Sequence, residues 1–174
     1  MLIKLTKQEM HECKILGQDT VKICKMQKLT PRLDTADESR VLSNIQGFYA
    51  EYAVAKALGC KFPMFNIVTD GGVDVWAGNI SIDVKYTKNT TDLIFDDFSE
   101  FKADVAVLTS PSEVGTDVIK IVGWLDKTTF VERSFNKDYG YGSRKVVSKD
   151  NLFYIEKLWL KVIDDKYGPH YYHT

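Results

Sequence analysis

Between Val73 and Thr87 apolar and polar residues alternate on either side of Gly78-Asn79, and that pattern restricts the stretch to a β-hairpin. Glycine at the first central position supplies the positive φ that a two-residue hairpin turn needs. With those two residues as the turn, Ala77 pairs Ile80, Trp76 pairs Ser81, Val75 pairs Ile82 and Asp74 pairs Asp83. Period two then puts Asp74, Trp76, Ser81, Asp83, Lys85 and Thr87 on one face. Val73, Val75, Ile80, Ile82, Val84 and Tyr86 fall on the other, which reads as core. Directly opposed residues have Cβ atoms roughly 4.5–5.5 Å apart, a spacing at which like charges are destabilising. Two facing aspartates therefore call for a positive charge between them, and a hard divalent cation held by oxygen ligands is the simplest candidate. A hairpin with one wet face and one dry face is also ordinary antiparallel architecture.

The second half of the pattern lies upstream. Thr35-Ala36-Asp37-Glu38 has the form of a capping box and opens a helix to about Leu58, where Gly59 stops it. Val41, Ile45, Phe48, Tyr52 and Ala55 recur at spacings of four and three, so one stripe packs inward. Glu51 lies beside this stripe among Gly47, Phe48, Val54 and Ala55, none of which offers a charge or a strong hydrogen bond. A carboxylate in such company sits at the edge of the buried face or is held there by a partner.

Helix with Glu, then Asp, then Asp-x-Lys on one hairpin resembles the PD-(D/E)xK nuclease superfamily, the restriction-endonuclease-like fold. The matching residues are Gly47 to Gly59 with Glu51, then Gly71-Gly72-Val73-Asp74, then Ile82-Asp83-Val84-Lys85, within roughly residues 36–110. Val73 replaces the proline that names the motif, and Asp83 stands where Glu is commoner. The resemblance implies an α/β fold: a mixed central sheet flanked by helices, with core order α-β-β-β-α-β over 36–132. A basic helical extension (1–33) precedes this core, and a basic loop with a closing helix and tail (133–174) follows it. It also implies that Asp74 and Asp83 hold Mg²⁺ or Mn²⁺ with the Val84 carbonyl, that Glu51 joins directly or through water, and that a phosphodiester is hydrolysed. Lys85 would orient or deprotonate the nucleophile, or bind the phosphate as a fixed charge; the sequence leaves these roles open.

Composition fits that class. A chain of 174 residues with 44% hydrophobic and 27% charged residues can bury one substantial core. No apolar run is long enough for a membrane span, and the start Met-Leu-Ile-Lys-Leu-Thr-Lys has no signal-peptide pattern, so a cytoplasmic protein is expected. Cys13, Cys24 and Cys60 have no ligand-like spacing and fall short of the four thiolates of an iron–sulfur cluster. Net charge is −1, but residues 1–33 carry seven basic against three acidic residues and 133–149 carry five against one. Residues 90–117 carry seven acidic against one basic. Such segregation fits a DNA-facing and a solvent-facing side. The loop Gly140-Tyr141-Gly142-Ser143-Arg144-Lys145, with Arg133 and Lys88, supplies candidate phosphate contacts and, in Tyr141, a stacking ring.

Further elements follow from the same rules. A strand at Leu2–Leu5 precedes helical material from Lys7 to about Lys28, interrupted near Gly17. Strands are expected at Phe65–Thr69, Ala103–Leu108 and Val118–Val122, and helices at Asp97–Lys102, Asp126–Glu132 and Asn151–Val162. Two other functions compete: a non-cleaving nucleic-acid-binding module on the same fold, and an interaction domain docking through Tyr167-Gly168-Pro169-His170-Tyr171-Tyr172. A homodimer suits the nuclease reading, since cutting both strands commonly uses two sites.

Overall fold

The computed structural model describes residues 1–27, 37–62, 71–88, 91–140 and 142–167. The expected Thr35 cap, the Phe65–Thr69 strand, Tyr141 and the tail beyond Tyr167 lie outside these residues. In chain order the elements are β1 (Leu2–Lys4), α1 (Lys7–Met26), α2 (Asp37–Leu58), β2 (Val75–Ala77), β3 (Ile80–Tyr86) and β4 (Asp92–Phe95). They continue with β5 (Val105–Pro111), β6 (Val118–Asp126), α3 (Lys127–Arg133), β7 (Phe135–Asp138), β8 (Ser143–Ser148) and α4 (Ile155–Tyr167). The fold is α/β, and its main sheet has the order β1-β6-β5-β3-β2. The sheet is mixed because β3 and β5 run parallel while the other neighbours are antiparallel. A second sheet, β4-β8-β7, is antiparallel throughout.

Alternation along β5 shows how the layers form. Val105 and Val107 join Val54, Ala55 and Leu58 of α2 and Ile155, Leu158 and Val162 of α4 in one buried cluster. Ala106 and Leu108 point the other way, into a cluster with Leu93, Phe95, Phe101, Phe130 and Val147 under the second sheet. There the Phe95 and Phe101 rings stack at 4.6 Å between centroids, and Phe130 meets Phe95 edge-on at 5.1 Å. Burying one such ring contributes about 1.5–3 kcal/mol.

The first 27 residues pack into the fold through a third buried cluster, Leu5 and Cys13 with Tyr49, Ala53 and Ile119. β1 pairs with β6 at the sheet edge, and α1 buries Cys13, Leu16, Gly17 and Val21. A reciprocal capping box starts α1: the Glu9 N–H donates to Thr6 Oγ1 (3.2 Å) and the Thr6 N–H to Glu9 Oε2 (2.6 Å). The helix runs unbroken through Gly17, contrary to expectation. A Cβ there would lie 2.5 Å from Ile45 Cγ1 and 2.9 Å from Ile45 N, so the glycine lets α1 and α2 approach closely.

Other differences have local causes. Asp97–Lys102 is a turn, because the Asp97 carboxylate accepts the Ser99 N–H (2.6 Å) and thus competes with helix formation. The chain from β3 to β5 therefore crosses through β4 of the second sheet, where a helix was expected. The strand at Val118 extends to Asp126, whose side chain then caps α3 by accepting the Thr129 N–H at 2.8 Å. A single 3₁₀ turn occupies Lys149–Asn151, so the closing helix begins at Ile155. Ser143, Arg144 and Lys145, read as loop, open β8. Among the described residues no helix is long and apolar enough to cross a membrane.

Candidate functional site

The β2–β3 hairpin has the register that the alternation demands: Val75↔Ile82, Trp76↔Ser81 and Ala77↔Ile80. Gly78 has φ +65°, and Asp165 of α4 steadies the turn by accepting the Asn79 N–H at 3.1 Å. The ladder stops at Val75, however, so Asp74 does not face Asp83 as a ladder pair. Its N–H donates to the Ile82 carbonyl (2.8 Å), and its Oδ2 accepts the Val84 N–H (2.6 Å). β3 outruns β2, and the Asp74 carboxylate takes the position of the missing strand at Val84. The N–H and C=O of one strand residue point to the same edge. The Val84 carbonyl therefore shares that edge with the Asp74 carboxylate.

Asp83 emerges on one face of β3 and is 2% exposed. Its Oδ1 lies 2.7 Å from Lys85 Nζ, two residues on and on the same face. The Lys85 ammonium also lies 4.8 Å from the centroid of the Phe95 ring. The strand end is fixed to β5 through Thr109, whose hydroxyl donates to the Lys85 carbonyl (3.0 Å) and whose carbonyl accepts the Thr87 N–H (3.0 Å).

Glu51 lies on α2, one turn before Val54 and Ala55. α2 covers the face formed by Ile80, Ile82 and Val84, opposite to Asp83 and Lys85, and Asp74 occupies the strand edge between them. Among the described residues no three His, Cys, Asp or Glu side chains form a group able to hold a metal ion. Glu51 also borders α1. Its charge is felt on α1: burial pushes the Cys13 thiol up to about 12, with Glu51, Glu12 and Glu9 adding to the effect. The oxygens at Asp74, Asp83 and the Val84 carbonyl fit a hard cation such as Mg²⁺ or Mn²⁺ by donor type.

The expected nucleic-acid contacts are spread over the molecule. Lys145 is paired with Phe95 in the β4–β8 ladder; its ammonium donates to Asn136 Oδ1 (2.8 Å) and lies 4.8 Å from the Phe98 ring centroid. β4 thereby brings Lys145 and Lys85 to the same aromatic neighbourhood. Arg144 Nε lies 3.4 Å from Asp96, and Arg133 donates to the Asn151 carbonyl at 3.0 Å. Lys88 lines an open groove of about 900 Å³ past the end of β3.

Sequence reasoning missed the polar cluster at that groove. The buried Asp92 carboxylate accepts from Lys137 Nζ and the Tyr139 hydroxyl, both at 2.7 Å. The hydrogen bond to Asp92 pushes the Lys137 ammonium up from its ordinary range. The signal was the pair Gly140 and Gly142 between two polar stretches, a sequence pattern of hairpins that would have placed Lys137 and Tyr139 beside β8. Compared with protein-family models, with curated proteins and with solved structures, the chain has no match.

Proposed function

We propose that this chain is a metal-dependent nuclease of the restriction-endonuclease-like kind, hydrolysing DNA phosphodiester bonds at Asp74, Asp83 and Lys85. The observation that carries the reading is the Asp83–Lys85 pair at 2.7 Å, with the Asp74 carboxylate bonded to the intervening Val84 N–H. Such an arrangement is costly unless used, because it keeps a carboxylate nearly sealed from water. The hairpin followed by a strand parallel to β3, with α2 packed over both, gives the fold reading its support. The β4 crossover is a departure from the fold's usual order.

Asp74, Asp83 and the Val84 carbonyl would hold Mg²⁺ or Mn²⁺. When bound, the metal lowers the pKa of a water and offsets charge on the phosphoryl oxygens. Asp83 fixes the Lys85 ammonium, and the Phe95 ring limits its swing, so a positive charge stands at a set position. That charge binds the phosphate or orients the attacking water. Glu51 would join directly or through water.

A second reading has one observation in its favour. The Lys85 ammonium already neutralises Asp83 at 2.7 Å, which favours a module that binds DNA without cutting it. Incubating the protein with supercoiled plasmid, linear duplex, single-stranded and branched DNA, in EDTA and in Mg²⁺ or Mn²⁺, separates the two. The nuclease cuts at least one substrate only with metal, and Asp83→Asn loses most of that activity at unchanged fold. DNA retained but uncut in both metals establishes the binding module.

A further inference from the structure

The groove beyond Lys85 has a composition of its own. It lies at the ends of the parallel strands β3 and β5, where Thr87 and Thr109 are joined, and the loop after β5 forms one wall. Open α/β sheets bind ligands outside the carboxyl ends of their strands. Lys88, Lys120 and Lys137 line it against two carboxylates, Asp92 and Glu113, with Ser110, Ser112 and the exposed Val114 between them. Of the three ammonium groups, Lys137 already meets Asp92. Lys88 and Lys120 have no ion pair among the described residues, so their charge is available to a ligand.

Spacing links the groove to the site. Lys88 follows Lys85 by three residues, just past the end of β3 at Tyr86. Lys120 sits on β6, paired across β5 with Ser110, two strand spacings of about 4.8 Å from β3. Past the end of β3, Lys88, Lys120 and Lys137 thus line an open channel whose walls also carry hydroxyls, the exposed Val114 and the carboxylates of Asp92 and Glu113. A positively charged groove that tracks the backbone is what holds a single strand without sequence preference. A groove of about 900 Å³ takes a few nucleotides of one strand.

Resting on the nuclease reading, we propose that this groove holds a single nucleic-acid strand on one side of the bond to be cut, with Lys88 and Lys120 on its phosphates. The test is fluorescence anisotropy of a labelled twelve-residue oligothymidylate in EDTA, so that no cleavage intrudes. The variants are K88E/K120E and a charge-matched control, K14E/K127E, with thermal unfolding recorded for each. K88E/K120E should weaken binding at least tenfold at unchanged unfolding temperature, and the slope of log K against log salt should fall by about 1.4, two phosphates at about 0.7 each. The control should bind as wild type.

An equal loss in the control, unaltered binding by K88E/K120E, or no binding by wild type overturns the proposal. So does a duplex of the same length that competes as well as the single strand and loses as much affinity in the variant. Lysine-dependent single-strand binding without any metal-dependent cutting upholds the groove and defeats the nuclease reading. Cutting that persists while binding ignores Lys88 and Lys120 does the reverse.

Discussion

Asp83 is the residue on which the local chemistry turns, because a charge so little exposed needs a partner. Lys85 supplies it at 2.7 Å. Removing the ammonium takes this partner from the carboxylate, so Lys85→Ala should lose stability, by about 1–3 kcal/mol, as well as cleavage. Asp83→Asn, which removes the charge instead, should cost less stability while abolishing the same activity. Urea midpoints of the two variants check this order, and equal stabilities would mean that Lys85 does not compensate Asp83. The Asp83-x-Lys85 relation was legible in the sequence, since period two places both on one face whatever the sheet around them. Asp74 was legible only as a neighbour. Its pairing was read by extending the ladder one step, and nothing in the sequence says that β2 stops at Val75.

At the scale of elements, the β2–β3 hairpin, β5, α2 and α3 were readable because their apolar patterning specifies them. The second sheet was not. β7 is four residues of uniformly exposed side chains, with no alternation to detect, and β4 opens on an aspartate inside an acidic stretch. Gly17 misled for a different reason: a glycine inside a helical pattern marks either a break or a close approach, and only the packed α2 decides.

One contact between elements carries a pH signature. The Ser81 hydroxyl (2.6 Å) and N–H (2.8 Å) both donate to Asp104 Oδ2, fastening β3 to the residue before β5. The Ser81 hydroxyl bond, then the backbone bond, hold the Asp104 carboxyl below its usual range. A depressed carboxylate contributes stability above its unfolded pKa, near 3.9, and loses it as pH falls through the folded value. Ser81→Ala should therefore cost about 1 kcal/mol near neutrality. That deficit should shrink below about pH 4 as wild type loses its own advantage. Urea unfolding of both proteins at pH 7 and pH 3 measures it, and a deficit independent of pH would exclude the carboxylate.

Over the whole molecule, charge zones that are separate in the sequence are interleaved in space. Lys4 of the first basic zone lies 3.6 Å from Asp117 of the acidic zone. Lys137 and Arg144 of the second meet Asp92 (2.7 Å) and Asp96 (3.4 Å). The acidic stretch is therefore no separate solvent-facing side; it partly neutralises the two basic zones. This changes which cations should govern nucleic-acid affinity. On a single strand, each phosphate neutralised by the protein adds about 0.7 to the salt slope. Arg144 is partnered by Asp96, Lys145 by Asn136 and Arg133 by the Asn151 carbonyl, so leaving these partners offsets much of what a phosphate would give them. Replacing all three by alanine should then lower the slope for oligothymidylate by less than about one unit, measured between about 50 and 200 mM salt. A fall of about two units would show that these side chains leave their partners and carry the strand across the second sheet.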